Sequence, residues 1–238
     1  KILSIENVIG SKNNDLIIMD SNDTVNIIDA GNGTSDTISY INYTNAITIN
    51  LATTTEQTIT GTTDKDTITN VENVTGGAGS DIITGNSSTN TLIGSDGNDT
   101  LKGAGGADVL QGGTGDDVFI IDVKADATGD QIIGGADYDT VNYQGVDEAV
   151  TVNLDGVTTA TVTIAGNNHT LTGIEYVIGT QFNDNITGDL NLNKIQGMGG
   201  NDIIAGQDGS DKIYGGADIA DSASSGDDTL DGKAGDDL

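Results

Sequence analysis

Residues 76–120 divide into five consecutive blocks of nine: GGAGSDIIT, GNSSTNTLI, GSDGNDTLK, GAGGADVLQ and GGTGDDVFI. Every block opens with Gly. Position six is Asp81, Asp99, Asp108 or Asp117 in four blocks and Asn90 in the other. Position eight is always large and apolar: Ile83, Leu92, Leu101, Leu110, Phe119. Glycine permits positive φ and close backbone approach, so the Gly-rich half of a block is a tight turn with exposed carbonyls. The remaining residues are too few for a helix and put one apolar side chain on one face, as a short strand does. Each block is expected to be a turn followed by a strand, with Asp supplying a hard anionic oxygen of the kind calcium prefers.

This register decides between two readings of an extreme composition. The 238 residues include 35 Gly, no Pro, Cys or Trp, and 3% aromatics. Lys+Arg is 8 against 37 Asp+Glu, a net charge of −29. An ordinary core is hard to build from this, which leaves an acidic disordered chain or a repeat protein that needs cations. Disorder has no reason to keep Ile, Leu and Phe in phase with Asp. Charge of this size self-repels, so the metal-free chain is expected to be expanded and cation binding to be coupled to folding. Nucleic acid and anionic membranes are poor partners for such a surface. No apolar run is long enough to span a bilayer, and no N-terminal signal peptide is read. Without Cys there is no disulfide framework, and calcium takes the part of the staple. Extracellular calcium modules work at ~10⁻⁴–10⁻³ M, which points outside the cell.

The block pattern is G-G-x-G-x-D-x-U-x, and on it the chain resembles the RTX (repeats-in-toxin) calcium-binding nonapeptide family. The resemblance implies an all-β fold: a right-handed parallel β-roll of serralysin type, one continuous solenoid holding several Ca²⁺ ions in its turns. It implies two blocks per coil, with ions between turns stacked on the same side, so that blocks two apart share them. It also implies type I export from a Gram-negative bacterium, directed by a signal at the C-terminus of the full chain. With strands ~4.8 Å apart the rod is on the order of 60 Å long.

A longer repeat encloses the blocks. Ile68-Thr69-Asn70-Val71-Glu72-Asn73-Val74-Thr75-Gly76 recurs as Leu171-Thr172-Gly173-Ile174-Glu175-Tyr176-Val177-Ile178-Gly179, an offset of 179 − 76 = 103. The same offset relates Asp36 to Asp139, Tyr40 to Tyr143 and Ile47/Ile49/Leu51 to Val150/Val152/Leu154. An earlier copy, ending at Gly10, lies 76 − 10 = 66 residues before the one ending at Gly76, as insertion or removal of whole coils permits. Residues 10–39 form degenerate repeats whose metal binding is left open. Residues 40–75 are a spacer, and residues 121–178 a degenerate repeat plus a second spacer. In the spacers (40–75 and 143–178) apolar residues alternate with Thr and Asn, the mark of strands with one buried face. They are expected to widen or flank the roll on the same solenoid. Residues 179–238 are a second, truncated cassette after the 76–120 one. Both ends of the chain fall inside repeats, so it is expected to be part of a longer protein.

Same-side stacking sets the expected metal ligands. Asp81, Asp99 and Asp117 stack in alternate blocks, while Asp108 faces Asn90. In the second cassette Asp184 pairs with Asp202 and then Asp228, and Asp211 pairs with Asn193 and Asp237. Asp96 and Asp208, at position three, add charge. Carbonyls at Gly77, Gly79, Gly97, Gly113, Gly115, Gly200 and Gly209 complete the shells. His169, the single histidine, has Asp66 as its counterpart at the 103 offset and is read as a surface loop residue. Tyr40, Tyr143, Tyr176 and Tyr214 are read as strand-end packing. One His excludes an H-E-x-x-H zinc site, and there is no G-x-S-x-G elbow, so no enzymatic activity is expected of these residues.

The expected function is a calcium-dependent structural segment of a large secreted or cell-surface protein, such as a surface layer, adhesin or filament. The alternative is the RTX module of a secreted epimerase, lipase or protease whose catalytic domain lies elsewhere. Expected partners are calcium, other copies of the chain and cell-surface polysaccharide. A glycan- or ice-binding module would need a regular exposed aromatic or Thr row, which the sequence does not show.

Overall fold

The computed structural model describes residues 7–20, 25–59, 65–121, 129–154, 160–164, 167–216 and 229–231. Among them there is no helix, and hence none able to cross a membrane. The strands are short, and consecutive strands fall alternately in two large sheets. Asn73–Thr75, Thr91–Asp96 and Val109–Thr114 lie in a twelve-stranded sheet. Ile82–Thr84, Thr100–Lys102 and Val118–Ile120 lie in the opposing eight-stranded sheet. Pairing within each sheet is parallel and in block register: Leu92 opposite Leu110, Ile83 opposite Leu101, Leu101 opposite Phe119. The fold is a parallel β-roll.

The interior follows from the alternation of the strands. Position eight points inward in every described block and its flanking positions point outward. Ile83, Leu92, Leu101, Leu110 and Phe119 are all fully buried, and the spine continues through Ile132, Val141, Val177, Ile186, Ile195 and Ile204. Each half-coil thus contributes one large apolar side chain to a narrow core.

The 103-residue repeat is preserved in space, with one twist. Ile38 pairs with Val74 as Val141 pairs with Val177, and Ile49 with Ile83 as Val152 with Ile186. Yet Asn73–Thr75 lies in the twelve-stranded sheet while its counterpart Tyr176–Ile178 lies in the eight-stranded one. Ile82–Thr84 and Asn185–Thr187 are exchanged in the opposite sense. The long repeat therefore contains an odd number of half-coils, and successive copies present equivalent strands on opposite faces of the rod.

Two expectations are corrected here. The spacers do stay on the solenoid, but they are not wholly parallel. Ala160–Ile164 runs antiparallel between Asn167–Thr172 and Thr151–Asn153 inside the twelve-stranded sheet. Gln57–Thr58 likewise runs antiparallel to Lys65–Thr69 in a separate four-stranded sheet. His169 is also not in a surface loop. It sits on Asn167–Thr172, a strand paired on both sides, and alternates inward with Leu171, which leaves it fully buried. Its Nδ1 lies 3.4 Å from the buried Asp130 Oδ2.

The spine predicts a contrast between adjacent residues of one strand. Leu101→Ala is expected to cost about 2–5 kcal/mol of stability in calcium-saturated protein. Thr100→Ala, on the outward face, is expected to stay within about 0.5 kcal/mol. Chemical denaturation of the two variants measures both.

Candidate metal centre

The position-six side chains form two columns, one along each edge of the roll. Each is hydrogen-bonded to the next through the backbone. On one edge Asp99 Oδ1 accepts the Asp81 N–H at 2.7 Å, Asp117 Oδ1 that of Asp99 at 2.8 Å, and Asp139 Oδ1 that of Asp117 at 2.9 Å. Glu175 Oε2 then accepts the Asp139 N–H at 2.9 Å, and Asp211 Oδ1 accepts that of Asn193 at 2.9 Å. On the other edge Asp36 accepts from Asp15, Glu72 from Asp36, Asp108 from Asn90, and Asp130 from Asp108. Beyond the antiparallel strand this column resumes with Asp202 accepting from Asp184 at 2.8 Å. The position-six aspartates described in both cassettes are almost completely buried.

Eleven of the turns fall into two shapes that position two separates; the Asp36 turn fits neither, with Gly31 left-handed and Asn32 donating to the Ser11 carbonyl. In the first shape the N–H of position two turns inward and closes onto the block's own position-six side chain. Ser11 donates to Asp15, Gly77 to Asp81, Asn86 to Asn90, Thr180 to Asp184 and Asp189 to Asn193. In the second shape position two is left-handed: Ser95, Ala104, Gly113, Gly135, Met198 and Gln207 all have positive φ. Their position-six residues are Asp99, Asp108, Asp117, Asp139, Asp202 and Asp211. For Asp99, Asp108, Asp117 and Asp139 the Oδ2 atom is buried and has no hydrogen-bond partner. Asn occupies position six only in self-closed turns, where an amide oxygen does the same work. Every open turn has Asp.

Glycine at position one brings backbone against this oxygen. A Cβ on Gly112 would lie 2.0 Å from Asp117 Oδ2 and 2.8 Å from the Gly134 carbonyl oxygen. At position four, carbonyls stack directly: a Cβ on Gly115 would meet the Gly97 oxygen at 2.3 Å, and one on Gly97 the Gly79 oxygen at 2.6 Å. The open turns of Asp99, Asp108, Asp117 and Asp139 thus gather carbonyl oxygens and one unsatisfied buried carboxylate oxygen each, a hard, all-oxygen donor set of the sort calcium takes. No group of three or more carboxylates or imidazoles converges among the described residues. A cation held here would draw most of its ligands from the main chain. The residues fit calcium, with Asp99, Asp108, Asp117 and Asp139 as the charged ligands. Its positive charge would supply what the buried oxygens lack.

The structure divides the expected ligands. Asp99, Asp108 and Asp117 stand in open turns with their oxygens unsatisfied, and Asp202 and Asp211 stand in turns of the same shape. Asp81 and Asp184 belong to the columns, but their own turns satisfy their Oδ2 atoms. Gly77 takes part through its N–H, whereas Gly79, Gly97, Gly113, Gly115, Gly200 and Gly209 lie in the stacked turns. Asp96 and Asp208 are exposed and outside the buried columns; Asp96 instead accepts the Thr114 hydroxyl at 2.9 Å. Asp228 and Asp237 lie outside the described residues. Sequence reasoning missed Asp139 and Asp36, whose blocks GGADYDTVN and GNGTSDTIS keep the register, and the position-one glycines. It also missed Glu72 and Glu175, although the recurring Val-Glu-Asn-Val and Ile-Glu-Tyr-Val signatures marked them. At both sites a Glu stands in the column where a long spacer precedes it.

Burial pushes the Asp99, Asp130 and Asp139 carboxyls up to about 7 and those of Asp108 and Asp117 up to about 6. These folded-state values lie above the ordinary carboxylate value of about 3.9. Between the two, the metal-free folded chain binds more protons than the unfolded chain, so its stability falls as pH rises through 6–7. Metal-free protein is therefore expected to gain β structure on acidification from pH ~7.5 to ~5. Calcium-loaded protein should show the opposite trend, because protons compete for the same oxygens. Circular dichroism at the two pH values, with and without chelator, reads both signs.

The RTX calcium-binding nonapeptide repeat model matches this chain in four copies, over residues 71–101, 84–119, 192–219 and 222–238. The first three copies take in the first cassette up to residue 119 and the second from residue 192, including the open turns of Asp99, Asp108, Asp117, Asp202 and Asp211. No curated protein matches the chain. Over those residues the chain carries the RTX calcium-binding nonapeptide repeat.

Proposed function

We propose that this chain is a calcium-stiffened structural segment of a large secreted or cell-surface protein, of the surface-layer, adhesin or filament kind, and that it is not itself a catalyst. The observation that carries the reading is the set of buried Oδ2 atoms without partners on Asp99, Asp108, Asp117 and Asp139. Leaving a buried charge uncompensated is costly, and the cost recurs at each of these four turns. Binding of cations removes it turn by turn, so metal binding and folding become one event. A chain of charge −29 then stays expanded where free calcium is scarce and stiffens where it is plentiful, which suits export before folding. Alternation of equivalent strands between the two faces suits a scaffold extended by further copies of the 103-residue unit.

A far-UV circular dichroism titration of chelator-treated protein tests this. A coil-to-β transition is expected, saturating below a few millimolar calcium and not reproduced by magnesium. Asp99→Asn should raise the midpoint at least about tenfold, whereas Asp81→Asn should leave it within about twofold. A chain already fully β in chelator and unmoved by calcium overturns the proposal.

A further inference from the structure

The six tyrosines separate into two groups. Tyr40, Tyr43 and Tyr143 are buried in the roll. Tyr176 and Tyr214 remain partly exposed on the outer side of the eight-stranded sheet, and Tyr138 is partly exposed in the turn that leads into that sheet's Thr140–Asn142 strand. There Tyr176 stands beside Lys194, which stands beside Lys212, on three neighbouring strands. The next outward row holds Gln196 beside Tyr214. Lys194 Nζ sits 4.1 Å from the centre of the Tyr176 ring, and the Tyr176 hydroxyl donates to Gln196 Oε1. Burial and the neighbouring Glu175, together with Tyr176, Asp116 and Tyr214, push the Tyr138 phenol up to about 12. Tyr138 stands two residues before Thr140, which pairs with Tyr176.

Stability of the roll does not require this strip. By the 103 offset the positions of Tyr138, Tyr176 and Lys194 are Ser35, Asn73 and Thr91 in the first repeat. Those of Gln196, Lys212 and Tyr214 are Ile93, Val109 and Gln111. The same strands pair in the same register there, without an aromatic ring or a cation. Lys194 and Lys212 are also directly opposite like charges, an arrangement that destabilises a sheet. Neither is in an ion pair among the described residues, in a chain with 37 acidic side chains. A cationic pair left unanswered on a strongly anionic rod is complementary to an external anion, and the flanking rings offer flat apolar faces.

We propose that the strip formed by Tyr138, Tyr176, Lys194, Gln196, Lys212 and Tyr214 binds an acidic polysaccharide lying along the roll axis. Strand separation of ~4.8 Å is close to the length of one sugar ring, so successive sugars meet successive strands. Sugar C–H faces stack on the tyrosines, uronate carboxylates meet Lys194 and Lys212, and hydroxyls meet Gln196. The strip is carried by the second repeat alone and gives the rod one sided specificity.

The absence of Trp makes tyrosine emission a direct reporter, and half of the tyrosines lie in the strip. Calcium-folded protein is titrated with an oligomannuronate and, separately, with a neutral glucose oligomer. Saturable binding of the uronate alone is expected, weakened at least about tenfold by Lys212→Gln and by Tyr214→Ala. Calcium-driven folding of both variants, followed by circular dichroism, should match that of the unchanged chain, so loss of the strip is separable from loss of the metal turns. No saturable binding, equal binding of the neutral oligomer, or binding that both variants retain in full would overturn the proposal. The last result would mean that calcium bridges the uronate to surface aspartates.

Discussion

A carboxylate buried for the sake of a hydrogen bond is the constraint on which this roll depends. Each coil is too thin to be held by its core, since each half-coil contributes a single large apolar residue such as Leu101 or Phe119. Coil-to-coil register at the turns is held by the position-six side chain, which accepts the N–H of the position-six residue two blocks earlier. That bond needs only an oxygen. Asn90 and Asn193 do not make it: their amide oxygens accept the N–H of Asn86 and Asp189 inside their own turns. In the open turns Asp99, Asp108, Asp117 and Asp139 keep a second oxygen that nothing in the chain satisfies. The charge there is excess to the needs of the hydrogen-bond ladder, and a bound cation would compensate it.

The two turn shapes also give the array a polarity. Self-closed turns stand at the start of each cassette: Asp81 and Asn90 in the first, Asp184 and Asn193 in the second, related by 184 − 81 = 103 and 193 − 90 = 103. Open turns follow them. The first coil of a cassette is therefore complete as a structure without metal, and it presents the ladder on which the first metal-demanding coil must register. Nearest-neighbour coupling of this kind is how solenoids fold, and here the starting unit and the dependent unit are distinguished by the backbone sign of φ at one position.

Much of this was legible in the sequence because the pattern is strict. The nine-residue register located the strands and the inward Ile/Leu/Phe spine, and the resemblance to the RTX family implied the same-side stacking of Asp81, Asp99 and Asp117. The distinction between Asp81 and Asp99 was not legible. Both read as Asp at position six, and what separates them is whether position two is left-handed. Glycine in that place does not decide it, since Gly113 is left-handed and Gly77 is not, while Ser95 and Met198 are left-handed without being glycine. His169 was misread because its counterpart Asp66 is polar, and a polar pair at one offset suggested an exposed position. In fact each is buried against a partner: Asp66 accepts from Asn26, and His169 faces Asp130. Polar identity fixed neither burial nor the antiparallel strand that creates it.

Internal duplication supplies the control that separates what the fold needs from what it does not. Positions alike in both copies of the 103-residue unit are those of the columns and the spine: Asp36 and Asp139, Glu72 and Glu175, Val74 and Val177. Outward positions on the same strands are free to differ, and there Asn73 and Thr91 became Tyr176 and Lys194. A step of 18 residues, two blocks, joins Tyr176 to Lys194 and Lys194 to Lys212, and Gln196 to Tyr214. Stacking turns that step into rows along one face. Since successive copies turn opposite faces outward, a surface elaborated in one copy has no counterpart beside it. A rod built from such units carries a common metal-dependent interior and individually specified sides.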